Sequence, residues 1–298
     1  MIVRCGGYQG DNSIHTRALR VFEAELLRAG IAAELTVNVT QQGRKAADLL
    51  AMVEQGALDL CYFNSSYLSE RVPSLRLLDL PFLIADRTHA YRHLDGPLGD
   101  RLVGDVKART GFRVLDFWDN GFRHFSNRLR PIRSPGDCAG MKIRSLDSPL
   151  YQEIFHAFGF EPVVIDVKDL PGAVTSGAVD AQENPLTNTV NFDLHQTHRH
   201  ITLSAHFFGV ALVLVNAAWF DACPADTQQV IRGAVAAATK TQRAAAAKED
   251  VDCLARLKQD GCEIVTADAV DRAGFEAAVA DIRRREMAQL DPELRYIL

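Results

Sequence analysis

The sequence predicts an α/β protein made of two sets of strands and helices together with one long helix. Apolar strands alternate with helices of about 10–15 residues, which is typical of βαβ units and a largely parallel sheet. The 298 residues are 47% apolar and 24% charged, enough for about two domains with separate cores. Residues 225–257 are rich in alanine, contain no proline and predict a single helix, long enough to pass behind both domains.

Charge and hydropathy exclude two classes of protein. The 33 basic and 38 acidic residues give a net charge of −5, whereas nucleic-acid binders usually carry a basic excess. The longest uncharged apolar stretch, residues 207–220, is shorter than the roughly 20 residues of a membrane-spanning helix. The N-terminus has no basic segment followed by a long apolar one, so the chain is either cytosolic or a mature, trimmed protein. Six scattered cysteines without a CxxC motif predict buried free thiols, with at most one disulfide among them.

The first third of the chain alternates strands and helices. Strands are predicted where apolar residues cluster or alternate, and helices where they recur every three or four positions. The predicted elements are a strand at 2–5, a helix at 18–27 that ends at Gly30, a strand at 35–39, a helix at 46–53 and a strand at 58–63.

A second α/β set follows in the middle of the chain. Two strands, 112–118 and 122–127, are predicted on either side of Asn120 and Gly121. The next elements are a strand at 142–144, a helix at 148–158, a strand at 162–165, the end of a short helix at 173–176 and a strand at 178–182. Residues 207–215 predict one or two buried strands that return to the first domain, and residues 275–290 predict a final helix.

Two motifs that could carry chemistry are weak. The glycine-rich loop at 6–10 has the wrong spacing for a dinucleotide site, and Asn38 stands where an acidic residue is expected. His195, His198 and His200 have no acidic ligand at helical spacing, which favours a surface loop over a zinc site. The sequence also contains no GxSxG nucleophile motif. Together, these observations predict no metal, no cofactor and no catalytic residue.

Polar residues mark candidate binding positions. Asp11, Asn12 and His15 lie at the predicted start of the first helix, where anions are favoured. Arg123 and Arg144 each stand on a strand among apolar residues.

Arginine is rarely buried without a partner. Either Arg123 and Arg144 form internal salt bridges, for example to Asp119 or Glu183, or they form a guanidinium clamp for a carboxylate. The stretch 182–184 precedes a proline, so its polar side chains should lie at the end of a strand, where ligands collect in open α/β sheets.

Several short motifs follow one another along the chain. They are Gly43 after the second strand, the turn at 53–59, Leu80-Pro81-Phe82-Leu83, the Asp-x-x-Gly-Met-Lys-Ile-Arg segment at 137–144, and the segment at 179–185. In this order the sequence resembles the DctP-type substrate-binding proteins of TRAP (tripartite ATP-independent periplasmic) transporters over nearly its whole length.

The resemblance implies a two-lobed, periplasmic-binding-protein-like clamshell with a long helix spanning both lobes, which close by a hinge around a ligand in the cleft. It assigns the ligand carboxylate to Arg144, and further contacts to Arg123, Asn184, Asn64 and Ser65. The implied lobes are 1–119 plus 208–248 and 120–207 plus 249–298. The implied protein is a monomeric periplasmic receptor, not an enzyme, that delivers a small organic acid to TRAP membrane subunits.

The sequence departs from the family on one side of the site. Val167 stands where many relatives have an aromatic residue, and Pro171 and Gly172 predict a poor or late-starting helix. Trp118, Phe207 and Phe208 are candidates for the missing aromatic surface. The polar candidates favour a compact hydroxylated acid, either a sugar acid or a hydroxy-dicarboxylate, over an apolar acid.

Two other functions remain open from the residues alone. One is a transferase on a similar α/β clamshell, of the porphobilinogen-polymerising kind, which needs a cysteine that carries a cofactor and an arginine-rich cleft. The other is a nucleotide-binding oxidoreductase, which the glycine spacing disfavours. Turnover of an acid or a covalent adduct would indicate the transferase, and binding of a nicotinamide cofactor would indicate the oxidoreductase.

Overall fold

The computed structural model describes residues 1–292 and 294, and in this part of the chain it contains nine strands and eleven α-helices. The strands are β1 (Ile2–Gly6), β2 (Ala32–Thr36), β3 (Leu60–Asn64), β4 (Phe112–Asn127), β5 (Lys142–Ser145), β6 (Glu161–Val164), β7 (Ala181–Pro185), β8 (His200–Asn216) and β9 (Glu263–Val265). The helices are α1 (Ile14–Arg28), α2 (Asp48–Glu54), α3 (Arg87–Leu94), α4 (Pro97–Arg109), α5 (Pro149–Ala157), α6 (Leu170–Ser176), α7 (Leu186–Asn191), α8 (Ala217–Ala222), α9 (Ala225–Gln259), α10 (Arg272–Ala278) and α11 (Ala280–Gln289).

The chain divides into two compact units, each built from three segments. Unit 1 comprises Met1–Val72, Leu94–Asn120 and Val210–Lys248, and unit 2 comprises Pro73–His93, Gly121–Gly209 and Glu249–Leu298. The chain therefore passes from one unit to the other five times: after Val72, at the end of α3, and within β4, β8 and α9.

Unit 1 contains a small sheet with α1 packed against it. β1 is parallel to β2 and β3, and β3 is antiparallel to the second half of β8. Ser13 caps α1 by accepting the N–H of His15 at 3.1 Å. The apolar residues of α1 fall on one face, and they are buried with Trp118 and residues of β8 and α9 in the core of the unit.

Unit 2 contains the strands that carry both buried arginines. Its sheet has the order β4-β7-β5-β6, in which β5 is parallel to β6 and β7 while β7 is antiparallel to β4. β9 extends the first part of β8 in parallel. Phenylalanines fill the core of the unit, among them Phe125, Phe155, Phe158 and Phe275.

The α/β class and the long helix are confirmed. α9 runs for 35 residues without interruption. Among the described residues, no helix combines the length and the apolar character needed to cross a bilayer.

Several predicted elements have shifted ends, among them the strand predicted at 178–182, which is observed as β7 at Ala181–Pro185. Three others differ for reasons that the structure shows. The second strand ends at Thr36, because the Asn38 side chain accepts the N–H of Thr40 and starts a 3-10 turn there. The two strands predicted around Gly121 form one strand, β4, in which Gly121 adopts a positive φ of 90°. The final helix is two helices, α10 and α11, separated at Val279.

The prediction of a late-starting helix near Pro171 is also wrong. α6 begins at Leu170 with Pro171 in its first turn, where a proline costs no hydrogen bond.

The segment 73–93 is placed differently from the predicted lobes. The prediction gave it to the first lobe, whereas it packs in unit 2, where Arg76 pairs with Glu286 and Arg87 with Asp250. A lobe is a part of the chain that moves as a rigid body, whereas the compact units are defined by contacts within one structure. The division into lobes therefore stays a prediction.

Candidate functional site

Arg144 is a buried cation with hydrogen-bonding capacity left over. Its side chain, 3% exposed, lies on β5, and its Nε donates to the carbonyl of Ile165 at 2.8 Å. Its Nη2 is buried and has no hydrogen-bond partner. Among the described residues Arg144 forms no ion pair, so its charge and one donor group are available to an anion.

Arg123 differs from Arg144 because its guanidinium already binds a carboxylate. Nη2 donates to Oε1 of Glu183 at 2.8 Å and to the Glu183 carbonyl at 3.0 Å, and Nε donates to Oε2. The pairing follows from the register of β4 and β7, in which Arg123 lies opposite Pro185 and Phe125 opposite Glu183. Of the two internal partners considered from the sequence, Glu183 is the observed one.

Glu183 is charged despite its burial. Burial raises the pKa of this carboxyl, but Arg123 and His206 more than offset the effect, and the pKa falls to about 2. The Nε2 atom of His206 lies 3.6 Å from Oε2 of Glu183, and the ring stacks on Phe125 at 4.1 Å. Burial lowers the pKa of His206, so the cluster is an arginine–glutamate pair beside a neutral imidazole.

His124 is a second neutral imidazole of unit 2. Its Nδ1 accepts the N–H of Ala205 at 3.1 Å. Burial is the largest cause of the shift that lowers its pKa to about 3. Sequence reasoning missed His124 and His206, although polar residues within the apolar strands β4 and β8 were a signal for both.

Asn184 belongs to a network of amides at the end of β7. Its Nδ2 donates to Oε1 of Gln182 at 2.6 Å, and its Oδ1 accepts from Nδ2 of Asn188 at 3.1 Å and from Nη2 of Arg123 at 3.4 Å. The structure therefore brings the predicted residues Arg123 and Asn184 together. Asn188, on α7, was missed because the sequence did not predict that helix.

The aromatic candidates of unit 2 are buried among other rings. Phe207 packs against Tyr151 with ring centroids 4.8 Å apart. Phe208 meets Phe122 edge to face at 5.0 Å.

In unit 1, His15 and Trp118 lie together in the interior. Their rings are nearly parallel with centroids 5.9 Å apart, and His15 also stacks on Tyr62 at 4.7 Å. Nε2 of His15 lies 2.9 Å from Oδ1 of Asn120, and Nε1 of Trp118 donates to Oγ1 of Thr239 at 3.0 Å. Burial lowers the pKa of His15 to about 4, although the bond to Asn120 opposes the shift, so this imidazole is neutral at pH 7.

The other unit 1 candidates are divided between surface and interior. Asp11 and Asn12 are exposed, and Asp11 pairs with Arg20. Asn64 and Ser65 are buried at the end of β3, where Oδ1 of Asn64 accepts the N–H and the hydroxyl of Ser66 at 2.9 and 2.8 Å. Roles for all of these residues in ligand binding stay predictions.

The histidines at 195, 198 and 200 do not form the surface loop that the sequence favoured. His195 and His198 are buried, and they contact Thr189 and Ser126 respectively. His195 also lies 3.2 Å from Oδ2 of Asp260, just after α9. Ser126 and Asp260 are distant from these histidines in the sequence, so local composition does not reveal the burial. The described residues contain no group of three or more His, Cys, Asp or Glu side chains placed to hold a metal ion.

Comparisons with known proteins agree over nearly the whole chain. The family model "Bacterial extracellular solute-binding protein, family 7" (DctP) matches residues 6–290. A solute-binding protein of Verminephrobacter eiseniae is 35% identical over 230 residues, covering 77% of this chain and 68% of the relative.

Two solved structures share the fold and carry different acids. A TRAP periplasmic solute-binding protein from Polaromonas sp. JS666, bound to D-erythronate, has a TM-score of 0.92 and 26% identity, covering 99% of this chain and 97% of that one. A second, from Sulfurospirillum deleyianum with bound succinate, has a TM-score of 0.90 and 27% identity at the same coverage.

Proposed function

This chain belongs to the DctP family of bacterial extracellular solute-binding proteins, and from that premise we propose that it captures a small organic acid and delivers it to the membrane subunits of a TRAP transporter. The family consists of receptors that bind a solute, so the transferase and oxidoreductase alternatives are set aside.

The observation that carries the proposal is the state of Arg144. A buried guanidinium without an acidic partner destabilises a protein, because the charge loses its hydration and gains no ion pair. A ligand carboxylate supplies the missing partner through charge-assisted hydrogen bonds, and the planar fork of arginine suits a carboxylate. Arg144 is therefore the anchor that we propose for the ligand.

The structural relatives support a small organic acid as the ligand. One structural relative carries D-erythronate, another carries succinate, and one from Xanthobacter autotrophicus carries β-D-galacturonate, so the acids range from four to six carbon atoms. We propose for this chain a compact organic acid of the same kind, with hydroxyl groups bound by neutral polar side chains such as Asn64, Ser65 and Asn184.

The same relatives support a proposal on location and partners. All three structural relatives are TRAP periplasmic proteins by name. We propose a periplasmic location and transfer of the ligand to TRAP membrane subunits for this chain, and we propose in addition that it is a monomer.

The replacement Arg144→Met tests the function with two readouts. Binding of organic acids, measured by titration calorimetry, should be lost because the carboxylate loses its anchor. Without ligand, the free energy of unfolding should stay equal or rise, since a buried, unpaired charge has been removed. A residue with a purely structural role would lower stability when replaced.

Arg128→Met is the matched control in the same unit. Arg128 is 40% exposed and pairs with Asp180, so its loss should leave affinity unchanged. Unchanged affinity in Arg144→Met, or no binding of any organic acid to the wild-type chain, would refute the proposed function.

A further inference from the structure

We propose that this receptor selects an acid with one carboxylate, a hydroxylated monocarboxylate, and discriminates against the dicarboxylate of the same carbon skeleton. The inference rests on the proposed function and narrows its substrate class. The sequence left open a sugar acid and a hydroxy-dicarboxylate, and the inference selects the sugar acid.

The argument starts from the buried cations. Of all the lysine and arginine side chains among the described residues, only those of Arg123 and Arg144 are buried, with 4% and 3% of their surface exposed. The charge of Arg123 is matched by Glu183, which binds both Nε and Nη2. Arg144 alone of the two retains a positive charge that no carboxylate of the described chain neutralises.

The buried imidazoles do not add a second positive charge. His124 and His206 in unit 2 and His15 in unit 1 all have their pKa lowered by burial. Each already has a hydrogen-bond partner: His124 accepts the N–H of Ala205, His15 contacts Asn120, and Nδ1 of His206 lies 2.8 Å from Oγ of Ser204.

Two further buried imidazoles also have partners within the chain, His195 at 3.2 Å from Oδ2 of Asp260 and His198 at 3.3 Å from Oγ of Ser126. Among the described residues, Arg144 is therefore the buried cation that can neutralise a ligand carboxylate.

A second carboxylate would be treated differently from a hydroxyl at the same place. A hydroxyl both donates and accepts, so amides and serines such as Asn64, Ser65 and Asn184 satisfy it. A carboxylate only accepts, carries a full charge and loses its hydration in the site without gaining an ion pair. The carbon skeleton can be identical in both ligands, so charge is the discriminating property.

Matched acid pairs test the inference on the full wild-type chain. Galactonate and galactarate, and erythronate and meso-tartrate, differ only by a terminal hydroxymethyl group replaced by a carboxylate. Titration calorimetry at pH 7 should give a dissociation constant at least about tenfold lower for the monocarboxylate of the pair that binds. Equal or tighter binding of the dicarboxylate would overturn the inference.

Succinate in the same panel separates the two levels of the proposal. Binding of succinate or of the dicarboxylates alone would overturn the single-carboxylate inference and leave the proposed receptor function standing. Binding of no acid at all would overturn the proposed function, and the inference with it.

The variant Glu183→Gln tests the physical cause. It keeps the shape of the side chain and leaves the charge of Arg123 unmatched, so the ratio of the two dissociation constants should move towards one. Glu153→Gln is the control, because Glu153 pairs with Arg285 near the surface of the same unit, and its ratio should equal that of the wild type. An unchanged ratio in Glu183→Gln would refute the assignment of selectivity to this ion pair. If Glu183→Gln does not fold, the wild-type comparison decides alone.

Discussion

Arg144 is a buried guanidinium whose charge has no acidic partner in the described chain, which costs stability but leaves the group available to a ligand. Its Nε is fixed by the carbonyl of Ile165 while its Nη2 has no partner, so the guanidinium is oriented before any ligand arrives. Orientation in advance lowers the entropic cost of binding.

The conservative replacement Arg144→Lys should weaken ligand binding by about 10- to 100-fold, because lysine keeps the charge and loses the two-pronged geometry. Titration calorimetry measures the change, and circular dichroism should show the fold intact. Lys142→Arg, on the exposed side of the same strand, is the control and should leave affinity unchanged. A near-normal affinity of Arg144→Lys would remove this residue as the carboxylate anchor.

The buried His15 makes stability depend on pH. Its pKa is about 4 in the folded chain and about 6.5 in an unfolded one. Between these values the unfolded chain binds a proton that the folded chain does not bind, so the free energy of unfolding falls as the pH falls. The slope is at most about 1.4 kcal/mol per pH unit for this group.

His15→Gln should flatten that slope, which urea unfolding at a series of pH values between 6.5 and 4 measures. The control is His156→Gln, because His156 is exposed at the end of α5. An unaltered slope in His15→Gln would contradict the neutral, buried state of the imidazole.

At the scale of elements, the continuity of β4 depends on one glycine. Gly121 has a φ of 90°, and a Cβ at this position would lie 3.1 Å from Cβ of Pro185 on β7. The glycine therefore lets one strand continue through a conformation that other residues rarely adopt, and the strand goes on to place Arg123 beside Glu183.

Gly121→Ala should lower the free energy of unfolding by about 1–3 kcal/mol, because the new side chain is strained in backbone and contact. Gly104→Ala is the control: Gly104 lies in α4 with open space around it, and alanine there should stabilise the helix by up to about 1 kcal/mol. Thermal unfolding of both variants gives the comparison, and a stable Gly121→Ala would refute the strain.

The same strand illustrates what the sequence could and could not predict. Apolar periodicity located most helices and strands, because the spacing of buried side chains is visible within each segment. Their position among apolar residues marked Arg123 and Arg144 as candidate binding residues. Asn120 and Gly121 are typical turn residues, so the sequence suggested two strands there. A positive φ within one continuous strand could not be predicted, because it depends on the partner strand. The partner of Arg123 stayed open between Asp119 and Glu183, because the register of β4 against β7 is not visible in either segment.

At the scale of the whole molecule, the family resemblance predicts two lobes that close on the ligand. Small-angle scattering should then give a smaller radius of gyration with saturating ligand than without it. The Arg144→Met variant, treated identically, should show no change because it binds no acid. An identical profile for the wild type with and without ligand would contradict closure.

Both tryptophans of the chain, Trp118 and Trp219, lie in unit 1, and this distribution gives the protein an optical asymmetry. Tryptophan emission reports the melting of unit 1, whereas the far-ultraviolet dichroism of the helices reports both units. If the units melt independently, the two signals will not coincide. Coincident transitions of the two signals, measured without ligand, would instead mean that the units melt as one.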